Sequence, residues 1–218
     1  LVGVTPPMMG QSLRADPLDI ERLGATLLER LGARSELEIT APGGTALRVR
    51  CDPRHKWHHQ SGLLAAPGWT NLPSGELLTT PLSVDGDLVC DGGAWSPAGE
   101  EIPNGFRLRI HFEKGEVVSV EGESAGLLEA AMGEGEHGRR VGQVGLGTNV
   151  GVVASIGALL QDMKLPGFHL TLGSTYPELT CAGWDSPIEV PLLVRRANVS
   201  IDGVSVMVGG RYVPALYA

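Results

Sequence analysis

An α+β fold, with mixed but mainly antiparallel sheet and two or three packed helices, is predicted by three features of this 218-residue sequence. Thirty-one glycines and fifteen prolines cut the chain into mostly short apolar segments, the punctuation of a β-rich protein. One segment, "ADPLDIERLGATLLERLGARS", instead keeps Leu18, Ile20, Leu23, Leu27, Leu28 and Leu31 on one helical stripe. A third, "FRLRIHFEKGEVVSVEGE", alternates apolar and polar residues on both sides of Lys114-Gly115, which is a hairpin signature.

In chain order, the spacing predicts a first helix over 17–33, with Asp16 placed to cap it and Pro17 suited to its first turn. "ALRVRC" and "GELLTTPL" follow as strands, and the hairpin around Lys114-Gly115 turns Phe106, Leu108, Ile110 and Phe112 to one side. A second helix is predicted over 123–135, with Ser124 as its cap and Gly133 near its end, and a third in "VGVVASIGALLQDM". "HLTLGS", "IEVPLLVRR" and "VSVMVGGRYV" supply more strands, and residues 195–210, "RRANVSIDGVSVMVGG", form a strand pair. "DPRHKWHHQSG" and "CAGWDSPIEV" are turn-rich and polar-aromatic, and are predicted to be the least ordered stretches. No repeat is present, and a single domain over 1–218 is the simplest organisation.

Composition narrows the function classes. At 42% hydrophobic and 19% charged residues the chain has enough apolar surface to build a core, so disorder is excluded. No apolar run reaches the roughly 18 residues that a membrane span needs. The formal charge of −8, with Lys and Arg scattered, opposes a phosphate backbone, so no nucleic acid partner is expected and a basic or neutral peptide suits the chain better. Cys51, Cys90 and Cys181 are odd in number and widely spaced, without a CxxC pair, and no secretory signal opens the sequence. A cytoplasmic location is the resulting expectation, and the sequon Asn198-Val199-Ser200 is read as chance.

Histidine is both a metal ligand and a proton shuttle, so the six histidines are the natural candidates for chemistry. His55, His58 and His59 fall in the turn-rich stretch and are read as a solvated loop; His111 and His137 are read as surface residues. His169 differs, because "LPGFHLTLGSTY" places it at the head of a strand with Tyr176 seven residues on.

Four segments in order, "NLPSGELLTTP" (71–81), "VGQVGLGTN" (141–149), "LLQDMKLPGFHLTLGSTY" (159–176) and "ANVSIDGVSVMVGG" (197–210), together resemble the thermophilic metallo-aminopeptidases of the aminopeptidase T and S type. "ELEITAPGGTALRVR" resembles the family's segment ahead of the first motif, so the likeness runs over about residues 17–213. It implies the fold of the family's C-terminal, metal-binding domain, without the separate N-terminal α/β domain. In the family, Asn-Leu-Pro-x-Gly-Glu and a Gly-Glu motif supply carboxylate ligands, His-x-Ala-Leu-Gly a histidine, and His-x-Asp-Phe a last pair. Carried over, Glu76 matches the first carboxylate, His169 the histidine, Tyr176 the active-site tyrosine and Asp202 the final aspartate. Gln143 stands at the second glutamate, Ser200 at the second histidine, and Met163 where the family tends to have an acid.

Two divalent cations held about 3.5–4 Å apart need several anionic ligands to share them. A neutral amide at 143 and a hydroxyl at 200 are poor substitutes for a carboxylate and an imidazole. Two-metal aminopeptidase activity is therefore not expected, and neither is a bound metal or other cofactor. What the resemblance leaves is a catalytically degenerate protein that binds a peptide through Glu76, Gln143, His169, Tyr176, Ser200 and Asp202. A precursor peptide of a ribosomal natural-product pathway in a bacterium is one such partner. One alternative is a mononuclear enzyme with Zn, Fe or Mn on Glu76, His169 and Asp202, with Tyr176 taking part in catalysis, since ring-opening dihydroxypyridine dioxygenases form a related branch. The other is a structural subunit of a hetero-oligomer. Association into a homo-oligomer, a dimer, is expected, because removal of an N-terminal domain would uncover apolar surface.

Overall fold

The computed structural model describes residues 5–32, 34–64, 70–95, 101–102 and 108–217. Among the described residues, fifteen strands are joined by helices and turns. In chain order the strands are β1 (Glu36–Thr40), β2 (Ala46–Cys51), β3 (His58–Gln60), β4 (Glu76–Thr79), β5 (Pro81–Cys90), β6 (Ala94–Trp95), β7 (Glu101–Ile102) and β8 (Leu108–Glu113). They continue with β9 (Glu116–Glu121), β10 (Val141–Gly147), β11 (Gly167–Gly173), β12 (Glu189–Val194), β13 (Asn198–Ile201), β14 (Val204–Val208) and β15 (Arg211–Tyr212). The helices are α1 (Pro6–Gly10), α2 (Pro17–Arg30), α3 (Ala125–Gly133), α4 (Leu159–Asp162) and α5 (Pro177–Thr180).

Two sheets result, both antiparallel in every described pairing. One runs β15-β14-β13-β1-β2-β5-β8-β9, the other β3-β4-β10-β11-β12-β6-β7. Alternation decides how they pack. In β1, β2 and β8 every second residue is buried, so Leu37, Ile39, Leu47, Val49, Ile110 and Phe112 face inward. Their neighbours outside, Arg48 with Glu36 and Glu38, Arg50 with Asp85, and Arg109 with Asp87, form a charged surface ladder. Such exposed pairs hold little energy, a few tenths of a kcal/mol each. The second sheet meets this core with Leu77, Val144, Leu146, Phe168, Leu170, Leu172, Val190 and Leu192.

Strands β4, β10 and β11 are buried on both faces, which a two-layer sandwich alone does not explain. Their second face is roofed by the N-terminal segment and by residues 149–166: Asn149 Nδ2 donates to Ser12 O at 3.0 Å, and Ser12 Oγ to Gln161 Oε1 at 2.7 Å. Glu76, Gln143 and His169 lie under this roof.

Helix α2 ends three residues before the predicted limit, and Asp16 does cap it, accepting from Leu18 N at 2.9 Å. The second predicted helix shortens to α3, where Ser124 makes no side-chain cap bond. Of the third only α4 is helical. The hairpin at Lys114-Gly115 is present as β8–β9; Phe106 lies outside the described residues. The larger departure is at 52–62, expected to be loop: His58–Gln60 pair with Leu78–Glu76 as β3. Residues 181–190 likewise run into β12 at Glu189. No helix among the described residues is long and apolar enough to cross a membrane.

The inward and outward faces of the charged sheet can be compared by truncation. Phe112→Ala, at a fully buried ring, should cost about 3–5 kcal/mol in urea unfolding. Val118→Ala on the half-exposed strand face should stay within about 0.5 kcal/mol. Equal losses would contradict this packing.

Candidate functional site

Residues directly opposite in an antiparallel sheet point the same way, so the register sorts the second face. Glu76 lies opposite Gly147 and Gln60, and His169 opposite Gly145 and Leu193. Gln143 lies opposite Thr171, Gly173 opposite Glu189, and Leu78 opposite His58. Glu76, Gln143, His169, Glu189 and His58 therefore share the roofed face, while Leu77, Val144, Leu170 and Val190 fill the core between the sheets.

Two of the predicted motifs are tied together by backbone. Thr148 N donates to Gly75 O at 2.8 Å, and Asn149 Nδ2 to Ser74 O at 2.8 Å. Gly75 takes φ +111°, and a Cβ there would sit 2.5 Å from that of Asn149, so this junction requires glycine. A Cβ on Gly145 would lie 2.1 Å from His169 Nε2. The missing side chain is thus what lets the imidazole lie flat over β10 and reach β4.

It reaches Glu76. His169 Nε2 lies 2.7 Å from Glu76 Oε1, and Lys164 Nζ donates a close hydrogen bond to Glu76 Oε2. All three side chains are buried, at 5% exposure or less. Burial alone would push the Glu76 carboxyl up; the ammonium of Lys164 and the imidazole of His169 override it and hold the group well below the ordinary carboxylate range. The contact requires the proton on His169 Nε2, a tautomer assigned from the geometry. Glu76 is thus a buried carboxylate with both oxygens already engaged by nitrogen donors.

The remaining predicted residues are dispersed. Gln143, at the position of the second glutamate, spends its amide on Ser174 O at 2.8 Å. Tyr176, in the left-handed region at φ +48°, donates its phenol in a close hydrogen bond to Glu189. Burial and the Glu189 carboxylate push its pKa well above that of an ordinary phenol, so it stays a protonated donor. Met163 caps the end of α4. Ser200 and Asp202 do not join the cluster. They lie on and beyond β13 of the other sheet, where Ser200 pairs across to Glu38 and Ser205. Asp202 accepts from Ser35 Oγ at 2.7 Å and Glu36 N at 2.8 Å, holding the start of β1. The ligand set of the one-metal alternative, Glu76, His169 and Asp202, is therefore not assembled, because Asp202 serves a turn on a different sheet.

On β12, the strand paired with β11, Leu193 lies opposite His169, and Pro191 and Glu189 follow on the same face opposite Thr171 and Gly173. Sequence reasoning missed Glu189 and Lys164. The polar residue in "IEVPLLV", on the strand after His169, was the available signal for the first; Lys164 carried none beyond its nearness to the motif. His58, expected in solvent, is half-buried on the roofed face, and burial lowers its basicity against the pull of Glu76. His59 turns the other way, with Nδ1 3.6 Å from Glu21 of α2, and His55 Nδ1 meets Thr80 O at 2.8 Å. Each of the three therefore has a partner or cover within the fold.

Do these residues fit a pair of divalent cations? Among the described residues no three His, Cys, Asp or Glu side chains stand close enough to hold one metal ion. The donors at the centre are one carboxylate and one imidazole bonded to each other, with an ammonium on the remaining oxygen. Gln143 is neutral, and Pro191 has no donor side chain. The donor set does not fit a two-cation centre.

Two antiparallel sheets with helices at their margins, and a buried polar cluster on the roofed face of one, define a metallopeptidase-like α+β fold. The description "thermophilic metalloprotease (M29)" belongs to the family profile that matches residues 24–213, and the chain is a member of that family. None of the curated proteins matches the sequence. Among solved structures, a 2,5-dihydroxypyridine dioxygenase from Pseudomonas putida superposes with a TM-score of 0.76 at 20% identity, covering 97% of this chain and 64% of that one. Wild-type AmpT from Thermus thermophilus superposes with a TM-score of 0.70 at 20% identity, covering 95% of this chain and 57% of that one. The chain thus spans less than two thirds of the length of either, and the likeness is one of fold.

Removing one partner of a buried ion pair strands the other, which typically costs about 3–5 kcal/mol. Lys164→Met should lose about that much stability at pH 7, and adding Glu76→Gln should restore most of it. Because the folded Glu76 titrates below its unfolded value of about 4.3, its contribution is full above that pH and fades as pH falls through the depressed folded value. The Lys164→Met deficit should accordingly shrink below about pH 4. Chemical denaturation of the three proteins at pH 7 and pH 3 measures this; a single variant as stable as the parent at pH 7 would refute the pairing.

Proposed function

We propose that this chain is a metallopeptidase-like protein that binds an extended peptide segment and does not run two-metal hydrolysis. One observation carries the binding half: a cavity of about 480 Å³ opens where His169 ends, walled by Phe168, Leu165, Pro166 and Leu193. That volume falls within the roughly 300–1,000 Å³ of small-ligand sites, and a lining that mixes apolar with polar side chains suits a side chain and its flanking peptide units.

The non-catalytic half rests on the donors. Deprotonating a bridging water at neutral pH takes the charge of the cations. Here the charge facing Glu76 is a lysine ammonium, which cannot exchange a water ligand. Tyr176 and Glu189 satisfy each other. The narrower occupant is a ribosomally made precursor peptide, and a homodimer is the expected assembly.

Equilibrium dialysis of the full chain against a pool of blocked octapeptides and leader peptides should show saturable retention. Leucyl-anilide hydrolysis with added Co, Mn or Zn should stay at the buffer rate. Cleavage at an enzymatic rate would overturn the non-catalytic half, and absence of any retained peptide the binding half.

A further inference from the structure

The cavity beside His169 has an unusual rim for so acidic a chain. Arg195 and Arg196, from the turn between β12 and β13, and Arg211, which opens β15, all line it. The two turns that carry them are fastened to each other: Gly210 N donates to Ala197 O at 2.8 Å, and Gly209 N to Asn198 Oδ1 at 2.8 Å. Gly210 has φ +77°, and a Cβ there would come within 3.3 Å of the Arg196 Cα and 3.4 Å of Pro166 O. The close packing at this glycine brings the backbones of the two turns together, so Arg196 and Arg211 start from neighbouring points of the rim.

The acidic residue lining the same cavity is turned to its own loop. Asp162 accepts from Ile156 N at 2.9 Å, Gly157 N at 3.0 Å and, closely, from Ser155 Oγ, so its oxygens hold their own loop. Asp91 takes the backbone N–H of Arg195 at 2.7 Å. Arg195 has further engagement within the chain and contributes charge rather than a vacant donor. Arg196 and Arg211 are exposed, and among the described residues no carboxylate pairs with either. In a protein of net charge −8, two guanidiniums held at one cavity mouth run against the average field.

From this geometry we infer that the cavity recognises a carboxylate carried by the bound peptide, with Arg196 and Arg211 gripping it while the attached residues run inward toward His169. Planar guanidinium forks match a carboxylate in a way a single ammonium does not. The inference deepens the peptide-binding reading and rests on it. The carboxylate can be an acidic side chain or a free C-terminus; both present the same group.

Calorimetric titration of the full chain at low salt separates these sources. The probes are a blocked peptide amide containing Glu, the same peptide with Gln, a neutral peptide with a free C-terminus, its amide, and glutarate. The acid-bearing member of each matched pair should bind about tenfold more tightly, and Arg196→Gln/Arg211→Gln should remove that advantage. Arg22→Gln, on the exposed face of α2, should leave it unchanged. Preference in only one pair identifies the source and supports the site. Equal binding within both pairs, or a preference surviving the double substitution, overturns the carboxylate site and leaves peptide binding standing. If glutarate alone binds, with the same arginine dependence, the anion site stands and the peptide reading falls; if nothing binds, both fall.

Discussion

A buried carboxylate has to be neutralised, and in this protein the neutralising charge is covalently part of the chain. Glu76 sits under the roof with Lys164 on one oxygen and His169 on the other. Much of the surrounding design follows from keeping that trio dry and aligned. β4 and β11 are spaced by β10, whose Gly145 clears the path of the imidazole. The segment that carries Lys164 is drawn down over β10, where Asn149 N donates to Lys164 O at 3.0 Å.

The site therefore sits in the framework of a metallopeptidase-like fold, with the Lys164–Glu76–His169 trio at its centre. Glu76, Gln143 and His169 lie on one face because antiparallel pairing puts them there. A cation on Glu76 would have to displace Lys164 or His169 from the oxygen it took. Framework and reactivity are separable in this way because the sandwich core is built from Leu, Val, Ile and Phe on the opposite face of the same strands. Residues on the roofed face can change without touching that core.

Local pattern made most strands legible. Where one face meets core and the other meets water, as in β1, β2 and β8, alternation shows directly in the sequence. Strand β3 was hidden because its three residues, His58, His59 and Gln60, are all polar and all half-buried, so no apolar alternation marks them. The assignment of Ser200 and Asp202 failed for another reason. A motif read by type and spacing fixes neither sheet nor side, and "SID" on β13 has the same local form as a ligand pair on β12 would have.

From sequence alone came the α+β class, the family and the neutrality of residue 143. Each depends on residue type and near-neighbour spacing, which the chain carries with it unfolded. Only the tertiary structure decided that Lys164 rather than Asp202 meets Glu76, that Glu189 meets Tyr176, and that three arginines from two separate turns share one cavity. Those contacts join residues tens of positions apart, and their existence depends on strand order and register, which no local pattern specifies.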